Sequence, residues 1–393
     1  MADKIIVSGV GCCLVDLLFT NIDFRGNKIH PYLSKKRGDG GLIPGHLVFQ
    51  EEFEKYSGGS FELALNKITG GRTYENINIG GPSIVSLINL AQLADKEYCE
   101  VRFYGRGGND ELGQYLLASL KKTPVKMKDF KLINNRTPCT VVLSDPSFDS
   151  YHGERIFLNS IGAAWNYYPN ELNDEFFDSD ITIFGGTALV PRIHDNMTSL
   201  LKKAKSKGCT TVVNTVFDFR NEKENPSTKW PLGESEESYG YIDLLITDKE
   251  EALRLSGKQD TRNAIRFFIN KKVSSLIITN GTNNISTYSD GRFFNISGLR
   301  EMPISQKISD QLKNVQAGDT TGCGDNFVGG VMASIVNQLH YGVNRPDLQE
   351  ACCWGIVSGG FACFYLGGTY FEENSGEKLK RIKPYYESYK KQI

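Results

Sequence analysis

The 393-residue sequence predicts an α/β protein with a doubly wound, mostly parallel sheet flanked by helices. Three observations carry that expectation. From residue 181 onward, short apolar runs alternate with helical periodicity: strand 181–184, helix 196–207, strand 211–213 and strand 244–247. Such alternation builds parallel sheets, whose ligands bind beyond the carboxyl ends of the strands. The run 5–9 reads as a buried first strand. Finally, glycine-rich loops at 80–82 and 317–324 lead directly into apolar residues at helical spacing.

Composition narrows the function classes. A formal charge of −1 leaves no broad basic field for nucleic acid or an anionic membrane, so the expected partner is a small molecule. The nine cysteines are odd in number and none makes a CxxC spacing suited to zinc, which points to a reducing compartment. Most read as small buried hydrophobes; Cys323, in a glycine loop, is the exception. Segment 5–19 is apolar but contains Gly9, Gly11 and Asp16, has only Lys4 ahead of it and is followed by no clear cleavage site. It therefore reads as core and the chain as cytoplasmic, and the Asn-x-Ser/Thr triplets at Asn135, Asn196, Asn284 and Asn295 carry no weight.

Taken in order, Gly9-Val10-Gly11 lacks the third glycine of a dinucleotide fingerprint because position 14 is Leu, which argues against an oxidoreductase. Asp16 follows shortly, and an ionised carboxylate can accept two hydroxyl donors. Residues 20–75 are polar and turn-rich, with no sustained apolar period; 47–49 is a candidate short strand. Gly80-Gly81-Pro82 opens a helix carried by Ile84, Leu87, Ile88, Ala91 and Ala94, with proline in the first turn. A strand, a loop and a helix at 115–120 follow from Phe103, and 137–143 with 154–158 forms a hairpin. The stretch 220–239 reads as a surface excursion, 276–279 as a buried strand, and 351–366 as an apolar helix ending near Gly367-Gly368.

The chemistry concentrates after residue 317. Glycines at 318, 322 and 324 let backbone N–H groups turn toward a ligand, and the following helix adds unsatisfied donors and a positive dipole end, so the loop suits phosphate. A carboxylate there, Asp325, is electrostatically wasteful unless it takes a proton or holds a cation; the plain alternative is a helix cap. Asp248 and Glu251 share one face at a helix start, an arrangement the dipole alone explains.

The run Asp319-Thr320-Thr321-Gly322-Cys323-Gly324-Asp325-Asn326-Phe327 resembles the signature DTxGAGDxF of the ribokinase-like (PfkB) carbohydrate kinases, with Cys323 in place of the usual Ala. Other segments are similar to that family's elements: Gly11 with Asp16, Gly80-Gly81 of GGxxxN, Gly153-Glu154-Arg155, Gly162-Ala163-Ala164 of GAN, Asp248-x-x-Glu251 of NxxE, and Thr279-x-Gly281. The pattern fails at Val85, Ala164, Asp248 and Asn214.

The resemblance implies a single ribokinase-like domain over 1–393, with a small β-sheet lid inserted at about 17–75 and 135–160. It implies transfer of the γ-phosphoryl group of ATP to a hydroxyl of a sugar or sugar-like substrate. Asp325 would be the base, with the backbone N–H groups of Gly322, Cys323 and Gly324 holding developing charge. Asp16, Gly80 and Gly81 would meet substrate; Thr279, Gly281 and Ser358 would border the nucleotide. Asp248 and Glu251 would order Mg2+ through water, and Asp319 and Thr321 a monovalent cation such as K+. Because phosphoryl transfer passes through a loose transition state, Asp325 needs no raised pKa. Arg155 reads more readily as a solvated lid arginine than as a phosphate ligand. A homodimer through the lid is a further implication. The alternatives are a nucleoside kinase on the same frame and a catalytically weak metabolite-binding member.

Overall fold

Residues 4–36, 38–148, 154–313 and 320–393 are described by the computed structural model. Nine strands make the main sheet, in the order β14-β13-β12-β11-β10-β9-β1-β5-β6. They are β1 (Ile5–Gly11), β5 (Cys99–Gly108), β6 (Lys126–Ile133), β9 (Ile181–Gly185), β10 (Thr210–Asn214), β11 (Leu244–Asp248), β12 (Ser275–Thr279), β13 (Ile285–Ser289) and β14 (Gly298–Met302). All neighbours from β12 to β6 pair in parallel, and β13 and β14 complete one side through antiparallel pairings.

The period of two in each strand sorts its residues between two cores. Val7, Ile181, Ile183, Val212, Leu244 and Ile277 enter one, beneath helices α3 (Pro82–Leu93), α8 (Cys323–His340) and α9 (Leu348–Ala362). Val10, Phe184, Val213, Leu245, Leu276 and Ile278 enter the other. That second core is covered by α5 (Met197–Ser206), α6 (Lys249–Ser256) and α7 (Thr261–Asn270). Helix α4 (Glu111–Leu120) follows β5, and α10 (Glu377–Gln392) closes the chain. Among the described residues no helix is long and apolar enough to cross a membrane.

A smaller sheet stands apart, ordered β3-β8-β7-β2-β4: β2 (Leu14–Phe19), β3 (Leu47–Phe49), β4 (Asn76–Gly80), β7 (Cys139–Asp145) and β8 (Glu154–Ser160). It starts at Leu14 and ends its third strand at Gly80, beyond the segment 17–75. One face is apolar: Phe19, Val141, Leu143, Ile156 and Leu158 pack against Phe53 of α1 (Gln50–Ser57) and Ile68 of α2 (Phe61–Thr69). The expectation of an aperiodic 20–75 missed these two helices. They are short, and each ends at a glycine in the left-handed conformation, Gly58 and Gly70.

Two further expectations are corrected. The helix near the carboxyl end is Leu348–Ala362, begun earlier by the Asp347 cap, so Gly367-Gly368 do not terminate it. The excursion 220–239 is not all surface, since Trp230 and Tyr239 are buried among the helices of the second core.

Helices α8 and α9 approach closely because glycines line their seam. A Cβ on Gly330 would lie 2.5 Å from the Trp354 carbonyl oxygen, and one on Gly355 2.7 Å from Val331. Gly330→Ala gains ~1 kcal/mol of helix propensity but clashes with immobile backbone, a typical cost of about 1–3 kcal/mol. The net expectation is a lower urea midpoint; an unchanged midpoint would mean the seam has slack.

Candidate active site

The glycine loop does open a helix. Gly322 is the N-cap of α8 at φ 75°, a conformation glycine tolerates, and a Cβ there would sit 2.5 Å from the Gly368 Cα. Cys323, Gly324 and Asp325 form the first turn. The Cys323 N–H donates back to Thr320 O at 3.3 Å, whereas the Gly324 and Asp325 N–H groups have no acceptor among the described residues. Asp325 does not cap the helix, because Gly322 occupies that position. Burial instead pushes its carboxyl up to about 7, although phosphoryl transfer does not require a raised value.

Asn326 holds this turn in shape. Its amide donates to Gly322 O and to Gly368 O, each at 2.8 Å. Its own Oδ1 accepts from Lys378 Nζ at 2.8 Å and from Tyr365 OH at 3.2 Å, and its backbone carbonyl accepts from Asn89 at 2.6 Å. Lys378 is 1% exposed, and burial pulls its amine down to about 7. No motif marks Lys378, which sits among the charged residues Glu377, Lys380 and Arg381. Asn326 lay inside the signature without a stated role.

The smaller sheet faces this loop with its polar side. Asn78, Asp16, Thr140 and Asn159 are register partners across β4, β2, β7 and β8. Directly opposed residues share a face, so the four form one row. Asn159 donates to Thr140 Oγ1 at 2.9 Å, and its own buried Oδ1 has no partner among the described residues. Further along that face Arg155 donates to Thr321 Oγ1 at 2.9 Å, linking sheet to loop. Gly80 and Gly81 permit the close approach: a Cβ on the first would meet Asp16 Oδ2 at 2.0 Å, and one on the second Cys12 O at 2.6 Å. Asp16, Asn78, Thr321 and Gly367 line a cavity of about 20 Å3, room for roughly one water. Both carboxylates lie near Cys12, whose thiol is raised by burial, then by Cys13, Asp325 and Asp16.

The remaining candidates divide. Asp248, Thr279 and Gly281 come together along a groove of about 320 Å3 beyond the ends of β11 and β12. Glu251 lies beneath it, 7% exposed, in a capping box with Asp248: Glu251 N donates to Asp248 Oδ1 at 2.8 Å, and Asp248 N to Glu251 Oε2 at 3.3 Å. Thr215 and Thr247 also donate to that oxygen. Burial first and the Asp248 charge second push Glu251 up to about 8. Ser358 is a correction: it is fully buried, against Gly330 in the helix seam, and has no surface for a nucleotide. Asp319 lies outside the described residues. Thr321 already accepts from the Arg155 guanidinium, a positive group that competes with any monovalent cation for that hydroxyl. The departures at Val85 and Ala164 are buried, Val85 beneath Gly368.

This geometry separates structural from chemical roles. Asn326→Ala removes the clamp on two loop carbonyls, and a shift of the first turn of about 1 Å is worth roughly 100-fold in rate. The expected result is at least a tenfold loss of kcat with the circular dichroism spectrum kept. For Glu251, the glutamine variant keeps the acceptor and should melt within a few degrees of the parent, while Glu251→Ala should lose about 1–3 kcal/mol. Equal melting of both variants would remove the capping box from the account.

Comparison with known proteins places these features. The profile of the pfkB family carbohydrate kinases matches residues 73–374. The chain is 25% identical over 262 residues to a probable fructokinase-4 of Arabidopsis thaliana, covering 63% of this chain and 71% of that protein. Among solved structures, Anopheles gambiae adenosine kinase superposes with a TM-score of 0.69 at 20% identity, covering 95% of this chain and all of that one. Arabidopsis thaliana ribokinase complexed with ribose and ATP does so with a TM-score of 0.62 at 15% identity, over 97% and 99% of the two chains. A core of seven parallel strands with a smaller sheet, an anion-type loop opening α8, and a match over most of the chain lead to one conclusion: the chain belongs to the pfkB family of carbohydrate kinases, phosphotransferases that act on an alcohol group.

Proposed function

We propose that this protein transfers the γ-phosphoryl group of ATP to a hydroxyl of a sugar or sugar-like substrate, with Asp325 as the base. The observation that carries the proposal is Asp325 itself. It sits in the first turn of α8 beside N–H donors that have no acceptor among the described residues, its carboxyl raised to about 7 by burial, and it shares the surroundings of Cys12 with Asp16. A base near neutrality is matched to taking a proton from an alcohol as phosphoryl transfer proceeds. The Gly324 and Asp325 N–H groups face the charge that builds on the transferring phosphoryl. Asp16, with the polar row beside it, suits the several hydroxyls of a polyol.

The smaller sheet acts as a lid. The cavity at Asp16 and Thr321 holds about 20 Å3, less than a sugar needs, and Arg155 ties the sheet to Thr321, so substrate would enter with the sheet displaced and closure would then exclude water. ATP fits the groove at Asp248, Thr279 and Gly281, since its volume of about 320 Å3 opens where ligands of parallel sheets bind. The exposed Asp248 carboxylate, backed by the hydrogen-bonded Glu251, suits a hydrated Mg2+, which would neutralise phosphate charge. The Asp248 carboxylate orients that hydration, and Glu251 fixes the helix start that presents it.

Two measurements test the reading. In an ADP-release assay with Mg2+ and ATP over hexoses, pentoses, sugar acids, sugar phosphates and nucleosides, one compound should stimulate the parent. Asp325→Asn should lower that turnover by about 1000-fold or more while ATP binding stays within a few-fold. Comparable turnover by the variant would sink the mechanism, and stimulation by a nucleoside alone would move the substrate class. The pH dependence follows from the raised carboxyl. Activity of the parent should climb as pH rises through about 7, because the base must be ionised. Stability runs the other way: the raised pKa favours the folded state at low pH, a contribution lost between the ordinary carboxylate value and about 7. Asp325→Asn should therefore raise the melting temperature at pH 8 and leave it nearly unchanged at pH 4.

A further inference from the structure

The seam between α8 and α9 runs on past its glycines to a pair of thiols. On α8, Cys323, Phe327 and Val331 recur every fourth residue; along α9 and its cap, Gly355, Gly359 and Cys363 do the same. The two rows run in opposite directions. Cβ atoms built on Gly355 would touch Val331 and Phe327, and one built on Gly359 would touch Phe327 and lie 2.8 Å from Cys323 O. The next rung is Cys323 against Cys363, whose sulfurs stand 3.1 Å apart. Both residues are only partly buried, whereas Cys12, Cys13, Cys99, Cys209, Cys352 and Cys353 are buried.

We propose that Cys323 and Cys363 form a site of reversible oxidation by hydrogen peroxide, and that the resulting disulfide slows phosphoryl transfer. Atoms balance in two steps. One thiolate attacks the peroxide, becoming a sulfenic acid as hydroxide leaves and takes up a proton to give water. The second thiol then attacks that sulfur, releasing another water and leaving the disulfide; a dithiol reductant reverses it by exchange. Little movement is needed at the sulfurs, from 3.1 Å to the ~2.05 Å of a disulfide. That movement falls on the first helical position of α8, one residue after Gly322 and two before Asp325. A displacement of about 1 Å there misaligns donors and base, which is enough to cost one to two orders of magnitude. A transient bond of this kind is the form that disulfides take in reducing compartments.

The effect on turnover rests on the role proposed for the loop, so the test reads the bond and the rate separately. Purified, fully reduced protein is treated with hydrogen peroxide, digested and analysed by mass spectrometry, while ADP release is followed before and after dithiothreitol. The expected result is a joined Cys323–Cys363 peptide lighter by two hydrogens, a fall in turnover of about tenfold or more, and recovery on reduction. Cys363→Ser should keep the untreated rate and lose the peroxide response, and Cys363→Ala, which has no hydroxyl, should behave alike. Absence of the joined peptide, equal inactivation of both Cys363 variants, or a joined peptide with full turnover would overturn the proposal. Reduced Asp325→Asn run alongside keeps the two questions apart: if it turns over like the parent, the loop's role has failed, whatever the peptide shows.

Discussion

One side-chain amide holds two strands of backbone that would otherwise repel. The carbonyls of Gly322 and Gly368 point toward the same place, and the amide of Asn326 satisfies both. The glycines let their chains approach; the Gly322 carbonyl also accepts the Asn326 backbone N–H at 2.8 Å, so the side-chain amide matters most to the buried Gly368 carbonyl, at a typical penalty of about 1–3 kcal/mol if that group were unmet. The arrangement in turn depends on how Asn326 is oriented, which Lys378 and Tyr365 fix from its other end. An unlike amide orientation would present the carbonyl oxygen to the two carbonyls and the N–H groups to an amine. The C-terminal helix therefore contributes to the loop through a single buried lysine.

Two of the departures from the family pattern fall at packed positions. Val85 and Ala164 stand where polar residues occur in the family pattern, yet both are buried, and Val85 supports Gly368 from below. The polar row Asn78, Asp16, Thr140 and Asn159 lies instead on the smaller sheet. Polar groups on a pleated surface are exchanged without disturbing the fold, because the opposite face carries the packing against α1 and α2. The scaffold and the recognition surface are thus separated by the alternation of a strand.

Long-period patterns were legible in the sequence and pairwise encounters were not. Strand and helix alternation after residue 181, the helix after Pro82 and the helix after the glycine loop all appear where their apolar spacing places them. Helices α1 and α2 escaped because few of their residues are buried, so their periods are too short to stand out. Asp325, Asp16, Asp248 and Thr279 were singled out as candidates because a local motif surrounds each one. Lys378 and Asn159 had no such motif; their importance comes from partners 52 and 19 residues away. Ser358 failed for the complementary reason: small residues on an apolar helix suit a ligand and a neighbouring helix equally well, and here the helix α8 takes the space.

If the smaller sheet closes over substrate as proposed, the bond from Arg155 to Thr321 bears on affinity as well as on enclosure. A protein resting with its sheet drawn down would be binding-competent only in the fraction of molecules where that contact is broken. The dissociation constant seen from outside is the intrinsic one divided by that fraction. Each increment of stability added to the closed form is therefore subtracted from apparent affinity before any substrate is touched.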